Sequence, residues 1–256
     1  MKGKSSRLYW PDAVHLLRLT PLPWLLAIAL PMKAADTDED RVAAARAARG
    51  AAIEARVKKA GLPFPPREIF LRAFKQEAVV EAWAREDTSG AFRLVASYAV
   101  TASSGVLGPK RREGDNQVPE GFYKINVFNP KSLFHLSMGL DYPNAADLVH
   151  ADQEQPGTDI YIHGGAQSIG CLPLGDEAIE ELYLLAFETR TRGLQPEIPV
   201  HIFPARMEGA RWEALARAST WAAFWQTLQP AYTYFERTHR LPQISISPEG
   251  SYGVAP

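Results

Sequence analysis

The chain has 256 residues with 28 basic and 29 acidic side chains, so its formal net charge is −1. This near-neutral balance, without a long basic block, argues against a general nucleic-acid-binding protein. Hydrophobic residues make up 46% of the chain and charged residues 22%, which excludes wholesale disorder. The single cysteine, Cys171, excludes an intrachain disulfide and a four-cysteine zinc site.

The start of the chain has the pattern of a secretory signal. Lys2, Lys4 and Arg7 make the first residues basic. An uncharged apolar stretch covers residues 19–30, and small residues then lead into an acidic run. A membrane span needs about 20 apolar residues, and Arg18 cuts this stretch short. We therefore predict a cleaved signal peptide at residues 1–35, with an uncleaved membrane anchor as the alternative.

The next segment predicts a helix. Residues 38–60 are rich in alanine, arginine and glutamate, with Asp38 as the expected N-cap and a mild break expected at Gly50. Proline-rich residues 62–66 then form a stiff link. Residues 36–66 are thus interpreted as a helical lead-in to the main domain.

From residue 68 onward, short apolar segments alternate with polar turns, which is typical of β-strands. The predicted strands cover residues 69–74, 78–83, 92–100, 122–128, 133–138, 159–162 and 198–203. Many short strands with frequent turns favour a mostly β sandwich or barrel.

Two helical patterns flank the later strands. Residues 176–190 place apolar side chains on one face, with Asp176 as the expected N-cap. Residues 211–237 carry many aromatic residues, which we expect to pack against the sheet; a carbohydrate-binding platform is the alternative.

The segment that indicates chemistry is a glycine-rich loop between a strand and a helix. His163 precedes Cys171 by eight positions, and Gly170 comes directly before the cysteine. Cysteine acyl transfer needs a thiolate, a base and donors for the developing oxyanion. His163 is the candidate base, and the flexible Gly170 with the Cys171 amide suits an oxyanion site. The alternative is a buried cysteine beside a core histidine. The other histidines lack the neighbours expected of a metal site.

Six ordered sequence blocks resemble one known family. They cover residues 69–77, 108–110, 113–117, 119–123, 142–147 and 163–171. The blocks resemble those of L,D-transpeptidases with the YkuD-type domain, most closely the YafK-like murein L,D-transpeptidase/hydrolase branch. The resemblance runs over residues 67–207. A Trp-rich helical extension at residues 208–256 follows.

The resemblance implies a fold and a set of site residues. The fold would be a β-sandwich-like catalytic domain with flanking α-helices, acting in the bacterial periplasm without a cofactor or metal. Cys171 matches the nucleophile and His163 the base, while the Gly164 carbonyl matches the group that orients the imidazole. Ser168 and Gly170 match the loop that shapes the oxyanion site.

The resemblance also implies a substrate. Peptidoglycan stem peptides would be attacked at meso-diaminopimelate through a thioester acyl-enzyme, and an amine of a second stem would resolve it. Most of these transpeptidases have a longer insert between histidine and cysteine and an arginine after the cysteine, whereas Leu172 follows here. The YafK-like branch shares both departures, and some members resemble hydrolases.

Three alternatives to transpeptidation follow. The first is hydrolysis of diaminopimelate–lipoprotein bonds or 3-3 crosslinks, which would make a wall-anchored outer-membrane lipoprotein a partner. The second is a non-catalytic wall-binding module, which the paired His163 and Cys171 disfavour. The third is an unrelated cysteine protease, which the six ordered blocks disfavour.

Overall fold

The computed structural model describes residues 38–192 and 195–256. Its larger sheet contains eight strands. They are β1 (Glu68–Phe74), β2 (Val79–Arg85), β3 (Arg93–Ala99), β4 (Gly121–Asn129), β5 (Ser137–Leu140), β6 (Tyr161–His163), β7 (Leu172–Pro173) and β8 (Ile198–Phe203). The strand order is β3-β2-β1-β8-β4-β5-β6-β7, with parallel pairing between β1 and β8 and between β6 and β7.

Within residues 38–192 and 195–256, five helices and a hairpin accompany this sheet. They are α1 (Asp38–Lys59), α2 (Ala145–His150), α3 (Asp176–Thr191), α4 (Gly209–Ala218), α5 (Ala222–Thr238) and the strands β9 (Gln243–Ile246) and β10 (Tyr252–Ala255). The predicted fold class, mostly β with flanking α-helices, is confirmed. Among the described residues, no helix is long and apolar enough to cross a membrane.

The central strand β1 shows how the layers form. Successive side chains of a strand point to opposite faces of the sheet. Ile69, Leu71 and Ala73 join the core beneath α1 and α3, whereas Phe70 and Phe74 join cores that include aromatic residues of α5. Because both faces are covered, nearly every residue of β1 is buried.

Helix α1 packs one apolar stripe into the first core. Val42, Ala45, Ile53 and Val57 recur every three to four residues or multiples of that spacing, and all four are buried. The predicted break at Gly50 is wrong, because α1 continues through it. The Asp38 side chain, predicted as the N-cap, lies outside the described part of the structure. So do residues 1–35, predicted as the signal peptide.

The C-terminal region differs from the single predicted helix. Residues 211–237 form two helices, α4 and α5, separated where Ser219 takes an extended backbone conformation. The prediction that their aromatic residues pack inward is confirmed, since Trp212, Trp225 and Tyr232 are all buried. Burying such large side chains is worth about 3–5 kcal/mol each against alanine.

Two further local predictions are wrong. The strand predicted at residues 133–138 begins only at Ser137, and Leu133 lies in a turn with 98% of its surface exposed. Gly175, with a φ of 79°, is the N-cap of α3, and Asp176 is its first residue. The proposed division at residues 66 and 207 stays a prediction, and the described residues belong to one compact unit.

Candidate active site

A short loop between two parallel strands builds the site. Parallel strands usually need a crossover of about a dozen residues or more, but residues 164–171 alone connect β6 to β7. Gly165 and Gly170 make this possible with φ values of 68° and 136°. The pairing of Ile162 with Leu172 turns His163 and Cys171 toward the same side, and both line one cavity of about 650 Å³.

The imidazole of His163 is held in one tautomer. Its Nδ1 lies 2.6 Å from the carbonyl oxygen of Gly164. A carbonyl only accepts hydrogen bonds, so Nδ1 carries the proton and Nε2 keeps its lone pair. Only 3% of His163 is exposed, and this burial lowers its pKa, so the ring is neutral at neutral pH. The ring of Phe134 lies against it, with centroids 4.7 Å apart.

The thiol of Cys171 contacts backbone groups. Its Sγ accepts a hydrogen bond from the Tyr161 amide at 3.4 Å and donates to the Asp159 carbonyl at 3.6 Å. Burial raises the pKa of the Cys171 thiol, and the nearby Asp159 charge adds to that effect. The resting pair is therefore a neutral thiol and a neutral imidazole, rather than a thiolate activated in advance by His163.

Ser168 and Gly170 shape the turn before the cysteine. The Ser168 hydroxyl donates to the carbonyl of Cys171 at 2.8 Å and accepts from the amide of Gly170 at 3.1 Å. A Cβ at Gly170 would lie 3.0 Å from the Gln117 carbonyl oxygen, and the φ of 136° is one that residues with a Cβ rarely adopt, so this position favours glycine. Both residues thus lie where the sequence places them, and their contribution to an oxyanion site stays a prediction.

Several residues that line the cavity or contact the thiol were not predicted as site residues from the sequence. Tyr161 and Asp159 approach the thiol through their backbones, which sequence alone does not indicate. Leu133, Phe134 and Ile169 line the cavity, although 98% of Leu133 and 80% of Ile169 is exposed. Apolar residues within the polar loops at 129–134 and 166–170 could have indicated the cavity lining. Those of the first loop were instead interpreted as part of a strand.

The comparisons with known proteins identify the family. Residues 81–201 match the L,D-transpeptidase catalytic domain, YkuD, and this range includes both His163 and Cys171. The chain belongs to the L,D-transpeptidase family, whose members act on peptidoglycan peptides, and it is an enzyme of that family. The predicted family membership is confirmed.

Particular relatives follow from the same comparisons. YafK of Escherichia coli strain K12 is 33% identical over 189 residues, which cover 73% of this chain and 74% of YafK. The helical cell shape determining protein Pgp2 of Campylobacter jejuni matches with a TM-score of 0.44 and 18% identity, over 70% of this chain and 73% of that structure. Bd1075 of Bdellovibrio bacteriovorus matches with a TM-score of 0.38 and 20% identity, over 66% and 62%.

Proposed function

We propose that this protein is an exported L,D-transpeptidase in which Cys171 forms a thioester with a peptidoglycan stem peptide at meso-diaminopimelate. The observation that carries the proposal is the neutral His163, whose Nδ1–H is bound to Gly164 while Nε2 can accept a proton. His163 and Cys171 line the same cavity.

The first half-reaction needs general base catalysis because the thiol starts protonated. Nε2 of His163 takes the thiol proton as Sγ of Cys171 attacks the peptide carbonyl carbon. The carbonyl oxygen becomes an oxyanion, for which the Cys171 amide, directly after Gly170, is the candidate donor. The imidazolium then gives its proton to the departing amine, the C–N bond breaks, and a thioester remains on Cys171.

The second half-reaction differs between the two candidate activities. In transpeptidation, an uncharged amine of a second stem attacks the thioester, and His163 accepts its proton. The C–S bond then breaks, and the imidazolium returns the proton to the Cys171 thiolate. In hydrolysis, water takes the same place. The connection at residues 164–171 supports hydrolysis as the second candidate, since so short a loop offers little material for a wall around a bulky acceptor. A wall-anchored lipoprotein is a candidate substrate only for the hydrolase.

Product analysis distinguishes these activities. The protein starting near Asp36 would be incubated with a tetrapeptide muropeptide, and separately with lipoprotein-linked and 3-3 crosslinked muropeptides. New crosslinked dimer, or exchange of a free D-amino acid, supports the transferase. Release of monomer without exchange supports the hydrolase. Cys171→Ala is the control and should give neither product, and a wild-type protein that binds wall without turnover would support a non-catalytic module.

Export is tested separately from chemistry. We propose a periplasmic mature protein that begins near Asp36 after signal cleavage. N-terminal sequencing of the protein from the envelope fraction should find a start close to that residue. An intact Met1 in a protein recovered from the cytosol would contradict export.

A further inference from the structure

A single peptide group connects His163 to an acidic side chain on α3. The carbonyl end of the Gly164–Gly165 peptide accepts from Nδ1 of His163 at 2.6 Å. The N–H end of the same peptide donates to Oδ1 of Asp176 at 2.8 Å. Because the peptide is planar and conjugated, these two ends belong to one dipole. A charge held at one end therefore affects the hydrogen bond made at the other end.

This peptide group also has unusual freedom to rotate. Both flanking residues are glycines, which lack the Cβ that restricts the backbone elsewhere, and Gly165 has a φ of 68°. The preceding amide of Gly164 is bound to the Leu136 carbonyl, and the carbonyl of Gly165 accepts from Thr101 and Gly175. The hydrogen bond from the Gly165 amide to Asp176 therefore fixes the Gly164–Gly165 peptide, whose carbonyl faces the imidazole.

The packing around Gly164 leaves no room for a side chain between the backbone and Asp176. A Cβ placed there would come within 2.6 Å of Oδ1 of Asp176 and 2.7 Å of the Phe134 carbonyl oxygen. The carboxylate therefore approaches the backbone at a point that only glycine permits. Asp176 is also the first residue of α3, where a negative charge is favoured by the helix dipole.

We propose that Asp176 is a positioning residue that orients and polarises the Gly164–Gly165 peptide, forming a relay from the carboxylate through this peptide to His163. The proposal rests on the proposed function of His163 as the base. The carboxylate draws the N–H toward itself and increases the negative charge on the Gly164 oxygen, because hydrogen bonds in series strengthen each other. That oxygen then stabilises the imidazolium formed when His163 takes the thiol proton.

Other charged and titratable groups also surround His163. Those lining the same cavity are Lys131, Asp159, Tyr161 and Cys171. Outside the cavity lining, His135 packs beside Gly164 and is bound to Glu180 of α3 at 2.8 Å. A test must therefore separate Asp176 from the general charge of α3. Glu177 is the matched control, because it is the next residue of the same helix start and pairs with Arg49 rather than with the loop.

The test uses histidine-labelled mature protein and follows the His163 imidazole by NMR during a pH titration. In Asp176→Asn the amide oxygen keeps the hydrogen bond but the charge is lost, so the pKa of His163 should fall below the wild-type value. The acidic limb of the turnover profile should move to lower pH with it. Asp176→Ala also frees the peptide, and we expect a roughly 10–100-fold loss of turnover that Asp176→Asn partly rescues. Glu177→Gln should change neither measurement.

The outcomes separate this proposal from the proposed function. An unchanged His163 titration in folded Asp176→Asn, or an equal shift in Glu177→Gln, would overturn the relay. Equal loss of turnover in Asp176→Asn and Asp176→Ala, with no change in pH profile, would also overturn it by indicating a structural role. A shifted His163 titration in a protein without turnover on any muropeptide would support the relay and contradict the proposed function.

Discussion

Glu120→Gln should weaken the fold more than any surface charge substitution. Glu120 is fully buried and connects three parts of the structure. Its Oε1 accepts from the Gly108 amide at 2.7 Å and lies 3.0 Å from Nζ of Lys75, while its Oε2 accepts from Nε1 of Trp225 at 2.7 Å. The substitution keeps the size of the side chain but removes its charge and places an amide group against an N–H donor.

The magnitude follows from these contacts. Removing one partner of a buried ion pair costs about 3–5 kcal/mol, because the other charge stays buried without its opposite charge. Nζ of Lys75 keeps its hydrogen bonds to the carbonyls of Gly108 and Val118, both at 2.8 Å, but these neutral groups do not replace the carboxylate. An N–H donor that faces the new amide group loses its hydrogen bond, which costs about 1–3 kcal/mol. The same substitution causes both losses, so this cost is already part of the figure of about 3–5 kcal/mol and is not added to it. We expect the free energy of unfolding to fall by about 3–5 kcal/mol, a large share of the 5–15 kcal/mol typical of a domain.

Urea unfolding at pH 7 measures this loss. The control is Glu54→Gln, which breaks an exposed pair with Lys58 at 2.6 Å and should cost less than about 1 kcal/mol. A loss in Glu120→Gln no larger than in that control would refute the reasoning, because it would mean that the Lys75 charge is not held by Glu120.

The pH dependence gives a second check with a defined sign. Burial lowers the pKa of Lys75, and the Glu120 charge opposes this. Without Glu120 the pKa of Lys75 falls further, so the unfolded chain binds more protons than the folded one up to about pH 10. Stability then rises with pH across this window. The deficit of Glu120→Gln should therefore shrink from pH 7 toward pH 10, and a constant deficit would contradict the assignment to Lys75.

Three further predictions concern the site and the pH response. His163→Gln should lower turnover by roughly 10²–10⁴-fold, because it removes the base that takes the thiol proton, and unchanged turnover would make His163 structural. Ser168→Ala removes the hydroxyl that bonds the Cys171 carbonyl and the Gly170 amide, so turnover should fall. The free energy of unfolding measured in urea should fall by only about 1–2 kcal/mol. Burial raises the pKa of Asp147 to about 6, so its contribution to stability falls as pH rises from about 4 to 6; unfolding curves of Asp147→Asn should lack that fall, and parallel profiles would contradict it.

Much of the sheet follows from the sequence because its strands obey simple local rules. Both faces of β1 and β8 are mostly apolar, with Arg72 and His201 as buried exceptions, and turns bound both strands closely. Leu133 and Phe134 misled this reasoning, since two apolar residues near β5 resemble the start of a strand. They line the cavity instead, and apolar residues in a cavity loop do not follow the periodic spacing that identifies a strand or a helix.

The chemistry of the site follows less completely. The spacing of His163 and Cys171 brings both residues to one cavity, but their resting protonation depends on burial, which the sequence does not give. The contact of Asp176 with the loop is a bond between a side chain and the backbone of Gly165, eleven residues earlier. From the sequence alone Asp176 is explained equally well as an N-cap, and only the position of Gly175 shows otherwise.

The central claim is that Cys171 carries the acyl group. Intact-protein mass spectrometry after rapid mixing with a donor muropeptide tests it most directly, followed by proteolysis to locate the added mass. We expect a mass increase equal to the donor acyl group on the peptide that contains Cys171, and no increase in Cys171→Ala. Turnover by Cys171→Ala, or an adduct located on another residue, would contradict the covalent mechanism.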